Sequence, residues 1–183
     1  MDREEFIRNL RSYYSEWEEE TRYIGRFLDL LTYTNCYERS LEFGHITASA
    51  WVTNEMCDEV LLLHHRKLDR WLQPGGHADG EENVIVVARK ELTEETGLKS
   101  VKLKSDGIFD IDIHGIPEHK GVPAHEHFDV RFHFIAFNPV EIHGNSESKG
   151  LKWFKVSEVA DVVNHEMSIK RMLSKTNICQ SKN

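Results

Sequence analysis

The hydrophobic period changes several times along the chain. Through residues 1–34 apolar side chains recur at helical spacing: Phe6, Leu10, Tyr13, Tyr14 and Trp17, then Tyr23, Ile24, Phe27, Leu28 and Leu31. This predicts two helices or one bent helix, with Gly25 as a weak point. So aromatic a stripe needs a surface to bury against, either the rest of the chain or a second copy of it. From Gly44 the period shortens. HITASAWVTN (45–54) and EVLLLHHR (59–66) predict two strands joined by a turn at 55–58. The second is a nearly continuous apolar run, as in a strand covered on both faces. Residues 82–96 return to helical spacing, and 101–104 and 107–113 predict short strands. After a loop over 113–123, HFDVRFHFIAF (127–137) is the clearest alternation in the chain. Phe128, Val130, Phe132 and Phe134 share one face, and Arg131 and His133 point the other way. A polar loop (138–150), a strand (151–156) and a helical pattern (156–173) follow. The predicted organisation is a helical extension (1–40), an α/β domain (41–175) and a frayed tail (176–183).

The stretch 75–98, GGHADGEENVIVVARKELTEETGL, organises the rest. Its helix places Ile85, Ala88 and Leu92 on one face with Val84 at the edge, and Glu91, Glu94 and Glu95 on an adjoining face. Carboxylates at i, i+3 and i+4 repel, which costs an isolated helix a few tenths of a kcal/mol per pair. A divalent cation reverses that sign, and Mg²⁺ takes oxygen ligands while keeping waters and substrate phosphates. Glu81 and Glu82 are expected in the first helical turn, where the macrodipole favours them. Pro74-Gly75-Gly76 and Asp79-Gly80 signal turns, and Gly97 a left-handed helix cap with Leu98 packing back. A glycine loop followed by an acidic helix points to a metal-assisted phosphate site rather than a direct anion cradle.

Composition narrows the partners. The 183-residue chain is 39% hydrophobic and 30% charged, enough for a core, and its net charge of −8 argues against a nucleic-acid polymer or an anionic membrane. A charged N-terminus and the absence of a long apolar run argue against a signal peptide and a membrane span. Cys36, Cys57 and Cys179 show no metal-ligand spacing, and a reducing cytoplasm is the expected setting. Eleven histidines are many. His125, His127 and His133 alternate with Asp129 along one strand. They read either as a solvated face or as a site for Zn²⁺ or a substrate phosphate.

The stretch resembles the Nudix box: Gly76, Glu82, Glu91, Leu92, Glu94, Glu95, Gly97 and Leu98 stand in register, and Lys90 replaces the usual arginine. Looser resemblance extends over about 44–175. The resemblance implies an α/β/α sandwich with a mixed sheet. It also implies a hydrolase cleaving a diphosphate bond in a nucleoside diphosphate linked to another group. On the same grounds Glu91, Glu94, Glu95 and the Gly76 carbonyl hold Mg²⁺ or Mn²⁺, and Glu82 and Lys90 form an orienting pair. The general base is Glu94 or Glu95, or Glu147 from the loop before the last strand. Trp71, His77, His127 and Asp129 are candidate substrate contacts. The alternatives are a non-catalytic nucleotide-binding module and an enzyme similar to isopentenyl-diphosphate isomerase, which needs a well-placed cysteine. A homodimer through the N-terminal helices is one way to cover their apolar stripe.

Overall fold

The computed structural model describes residues 1–138, 141–146, 148–163 and 166–180. Its elements are α1 (Arg3–Ser12), α2 (Glu18–Leu30), β1 (Gly44–Asn54), β2 (Glu59–His65), β3 (Arg70–Leu72), β4 (Gly75–His77), α3 (Val84–Thr96), β5 (Val101–Leu103), β6 (Asp110–Ile116), β7 (His125–Ala136), β8 (Ser148–Lys155), α4 (Val156–Val162) and α5 (Met167–Gln180). They divide into two compact units. The first is Met1–Ser49, Gly75–Ala88 and Gly107–Phe132; the second is Ala50–Pro74, Arg89–Asp106 and His133–Asn183. The strands β1 and β7 and the helix α3 run from one unit into the other.

In the first unit, β4 pairs antiparallel with β1 (Ser49 opposite Gly75, Thr47 opposite His77), and β6 pairs antiparallel with β7 (Asp110 opposite Arg131, Asp112 opposite Asp129). The N-terminal helices complete it. Phe6, Leu10 and Phe27 are fully buried, and Phe27 meets Phe6 and Phe128 edge-on. Burial within the unit covers Phe6, Leu10, Phe27 and Leu31, while Tyr13, Trp17, Tyr23, Ile24 and Leu28 stay half-buried and Tyr14 exposed. Glu20 is buried too. Its Oε1 accepts from the Tyr13 hydroxyl (2.7 Å) and from the Ile111 amide (3.0 Å), so a helical carboxylate terminates a strand donor.

In the second unit β2 lies between several partners. It pairs antiparallel with β1, β3 and β8, which explains its unbroken apolar run Val60–Leu61–Leu62–Leu63. The strands β5 and β7 pair antiparallel over Val101–Leu103. Two side-chain bonds tie β1 to β7, Ser49 to Asp129 in the first unit and Thr53 to His133 in the second. Both span 80 residues, the constant offset of parallel strands, so parallel and antiparallel neighbours coexist. The alternation along β7 is correct, but the face opposite the phenylalanines is not solvated: Asp129, Arg131 and His133 are buried. The helix α5 continues to Gln180, past the boundary expected near 175.

His133 shows what that burial does. Its Nε2 lies 2.8 Å from Thr53 Oγ1, and burial, helped by the charge of Lys104, pushes its pKa down to about 3. In the unfolded chain the imidazole titrates near 6.5. Between those values the unfolded chain holds a proton that the folded chain refuses, so stability is lost as pH falls through that window. We expect the urea midpoint to drop from about pH 6 to about pH 4 less steeply in His133→Gln than in the unsubstituted protein. Equal slopes in the two proteins would remove His133 as a contributor.

Candidate active site

The helix α3 begins at Val84, two residues later than the charge pattern suggests. Asn83 precedes it; its Oδ1 accepts from the Val86 amide (3.3 Å), while its own amide donates to Glu81 Oε1 (2.8 Å). Glu81 and Glu82 thus lie ahead of the helix, not in its first turn, because the asparagine side chain outcompetes continuation of the helical backbone. The buried face is Val84, Val87, Ala88 and Leu92, with Ile85 only half-buried. Gly97 has φ +74°, its amide donates to the Thr93 carbonyl (2.9 Å), and Leu98 is buried, which is the expected left-handed cap.

In the second unit this helix gathers three carboxylates. Glu94 is exposed, the Glu91 side chain is 16% accessible, and Glu95 is buried. Lys90 Nζ stands 3.6 Å from Glu91 and 3.9 Å from Glu94. The three acids share one helix, and hard oxygen donors at i, i+3 and i+4 fit Mg²⁺ or Mn²⁺. In the first unit Glu82 meets Arg3 at 3.4 Å. Glu82 and Lys90 therefore each have a charged partner other than the one the resemblance implies. Lysine carries a point charge on a flexible stem, which the neighbouring glutamates attract from the same helix.

The glycine stretch is built by close approach. A Cβ on Gly75 would come within 2.2 Å of Ser49 Oγ and 2.8 Å of its Cα, so only glycine lets β4 pair with β1 here. Gly76 follows on the same short strand, and the chain then turns at Asp79 (φ +48°) and Gly80 (φ +90°). Arg39 clamps Asp79 through Nε (2.6 Å) and Nη2 (2.8 Å).

The remaining expected residues are sorted by their contacts. Trp71 stacks on His64 (4.9 Å, 15°) and meets Phe154 edge-on, so one face of the indole is already occupied. Asp129 does not reach solvent: it accepts from Ser49, Thr47 and Arg131 and is 2% exposed, too enclosed to meet a substrate. His77 and His127 do come together, and His45, which periodicity alone did not single out, joins them. Its only sequence signal is a shared face with Thr47 and Ser49 on β1. Glu147 lies outside the described residues. Cys36 and Cys57 are buried, so neither is presented for isomerase chemistry.

The family profile described as NUDIX domain matches residues 44–174. The chain belongs to the Nudix family. Its fold is shared by several solved structures. An Ap4A hydrolase from C. elegans is 18% identical over 75% of this chain and 98% of its own, with a TM-score of 0.61. A MutT protein from Methanosarcina mazei Go1 is 16% identical over 78% and 99%, with a TM-score of 0.60. A Nudix hydrolase from Clostridium perfringens is 24% identical over 74% and 97%, with a TM-score of 0.54. The expected α/β class is thus the Nudix fold, and the chain is a pyrophosphohydrolase of that family, whose members use divalent metals and act on small nucleotide derivatives. The matched region begins at residue 44, so α1 and α2 lie outside it. No helix among the described residues is long and apolar enough to cross a membrane.

Proposed function

We propose that the protein cleaves the diphosphate bond of a nucleoside diphosphate linked to another group, with Mg²⁺ or Mn²⁺ held by Glu91, Glu94 and Glu95. The observation that carries this reading is the complete set of box carboxylates, Glu91, Glu94 and Glu95, together on α3. When bound, the metal neutralises the diphosphate and lowers the pKa of an attacking water. The chain's own residues prepare for that. Burial fixes the rotamer of Glu95, while exposed Glu94 stays free to turn toward a ligand. The Gly76 carbonyl is a further oxygen donor on β4, and Arg3 and Lys90 hold Glu82 and the helix acids in the metal-free state. Glu94, Glu95 or Glu147 takes the proton of the water, and Trp71 stacks on the base. The expected compartment is the cytoplasm.

A panel of nucleoside diphosphate sugars, dinucleotides, Ap4A and nucleoside triphosphates, assayed for phosphate-bond cleavage with Mg²⁺, with Mn²⁺ and with EDTA, tests the reading. We expect turnover of at least one diphosphate-linked nucleotide that EDTA abolishes. Nucleotide binding without cleavage under any metal would instead identify a binding module.

A further inference from the structure

We propose that His45, His77 and His127 form a binding site for a borderline-soft divalent transition metal of the Zn²⁺ class, built from ligands other than the α3 carboxylates. The three residues come from three strands of the first unit, β1, β4 and β7. Each offers one ring nitrogen, and the three atoms lie within 4.8 Å of one another. Tetrahedral Zn²⁺ with Zn–N of about 2.0–2.1 Å needs nitrogens ~3.4 Å apart, so closing the site takes side-chain rotations of about 1 Å.

The independent observation is the state of His45. It is 4% exposed, and neither ring nitrogen has a hydrogen-bond partner of good geometry among the described residues; the Leu41 backbone and the Asp79 charge act against the fall in its pKa. The buried Nε2 of His127 likewise has no hydrogen-bond partner among the described residues. Buried imidazoles are ordinarily hydrogen-bonded, and a metal is the ligand that satisfies several converging nitrogens at once. His45 lies against His77 (ring centroids 5.2 Å) and His127 (5.1 Å), and His77 against His127 (4.7 Å). Burial first, and the neighbouring charges second, lower the pKa of all three, His77 to about 4 and His127 to about 2. Neutral imidazole is the form that binds metal.

The donor set selects the ion. Three imidazoles without a carboxylate disfavour Mg²⁺, which needs oxygen, and favour Zn²⁺ and its neighbours. The fourth position is left to water or an anion, on the side where His77 and His127 are only half-buried. The nearby Arg39 does not oppose a cation, because Asp79 pairs with it through both oxygens.

The full untagged chain, stripped of metal, is titrated with Zn²⁺ against a chromophoric chelator and separately with Co²⁺. We expect one tight site per chain and a visible Co²⁺ spectrum of tetrahedral intensity. His45→Ala, His127→Ala and His77→Ala should each weaken Zn²⁺ by roughly 100-fold or more. His119→Ala, which removes an exposed histidine elsewhere, and Glu94→Gln should leave the affinity unchanged. Half-buried His77 carries the test if loss of the deeper His45 prevents folding. Equal affinity in His77→Ala and the unsubstituted chain, or a stoichiometry that falls with Glu94→Gln instead, would overturn the proposal.

Discussion

Glu95→Gln and Glu94→Gln should each lower kcat by at least ~100-fold, since replacing a residue that only supports a metal ligand already costs 10- to 100-fold in many sites. Glutamine keeps the shape of glutamate and loses its charge. Each substitution thus removes one anionic donor from three that stand at i, i+3 and i+4 on α3. The fold should survive. Glu94 is exposed, and its contact with Lys90 at 3.9 Å is an exposed pair worth under about 1 kcal/mol. Removing a like charge from the helix surface should raise the metal-free melting temperature slightly. Loss of turnover with an unchanged or higher melting temperature separates a metal role from a structural one. Turnover equal to that of the unsubstituted enzyme in both variants would end the assignment of these residues. Glu95 carries the heavier folding risk, being buried, so Glu94 is the cleaner test.

The long, strongly periodic elements were legible in the sequence: α1 and α2, β1, β2, β7 and the cap at Gly97 all stand where pattern and turn chemistry put them. The three-residue strands β3 and β4 were not, because their residues alternate with the turn signals around Pro74 and Asp79 and each is held by the strand beside it. The carboxylates of the candidate site were legible because they sit on one helix, where spacing alone fixes the face. The histidine cluster was half legible. His127 stood out on an alternating strand and His77 beside the glycines, but His45 reaches them only through the register of β4 on β1. The same gap explains Arg131. Alternation placed it opposite the phenylalanines, yet only the pairing of β6 with β7 shows that three aspartates surround it. Glu82 and Lys90 differ for a simpler reason: flexible charged side chains choose partners by proximity, which sequence spacing across a loop does not encode.

Arg131→Ala should unfold the protein or lower its stability by at least ~3 kcal/mol, a large part of the roughly 5–15 kcal/mol that holds a domain together. The guanidinium is fully enclosed in the first unit. Its Nε donates to Asp129 Oδ2 (2.8 Å), its Nη1 to Asp110 Oδ1 (3.0 Å) and its Nη2 to Asp112 Oδ2 (3.1 Å). All four residues share one face of the β6–β7 pair, where Asp112 stands directly opposite Asp129. Two acids in that position repel, so the pair is tolerable only with a cation between them. The three carboxylates in turn hold the arginine charged, well above its usual pKa, despite burial that works the other way. Ser49 and Thr47 satisfy the remaining oxygen of Asp129 at 2.8 and 3.1 Å. Truncating Arg131 takes the guanidinium from three buried acids at once; the cost is buried charge that has lost a shared cation, far more than one lost hydrogen bond. Arg131→Lys keeps the charge but cannot donate along three directions at once, so it should fold with an intermediate loss. Asp112→Asn removes one acid from a group with acids in excess and should cost less than either arginine variant. Urea denaturation of the four proteins ranks them. If Arg131→Lys matched the unsubstituted protein and Asp112→Asn proved the most damaging, the guanidinium would not be the hub of this network.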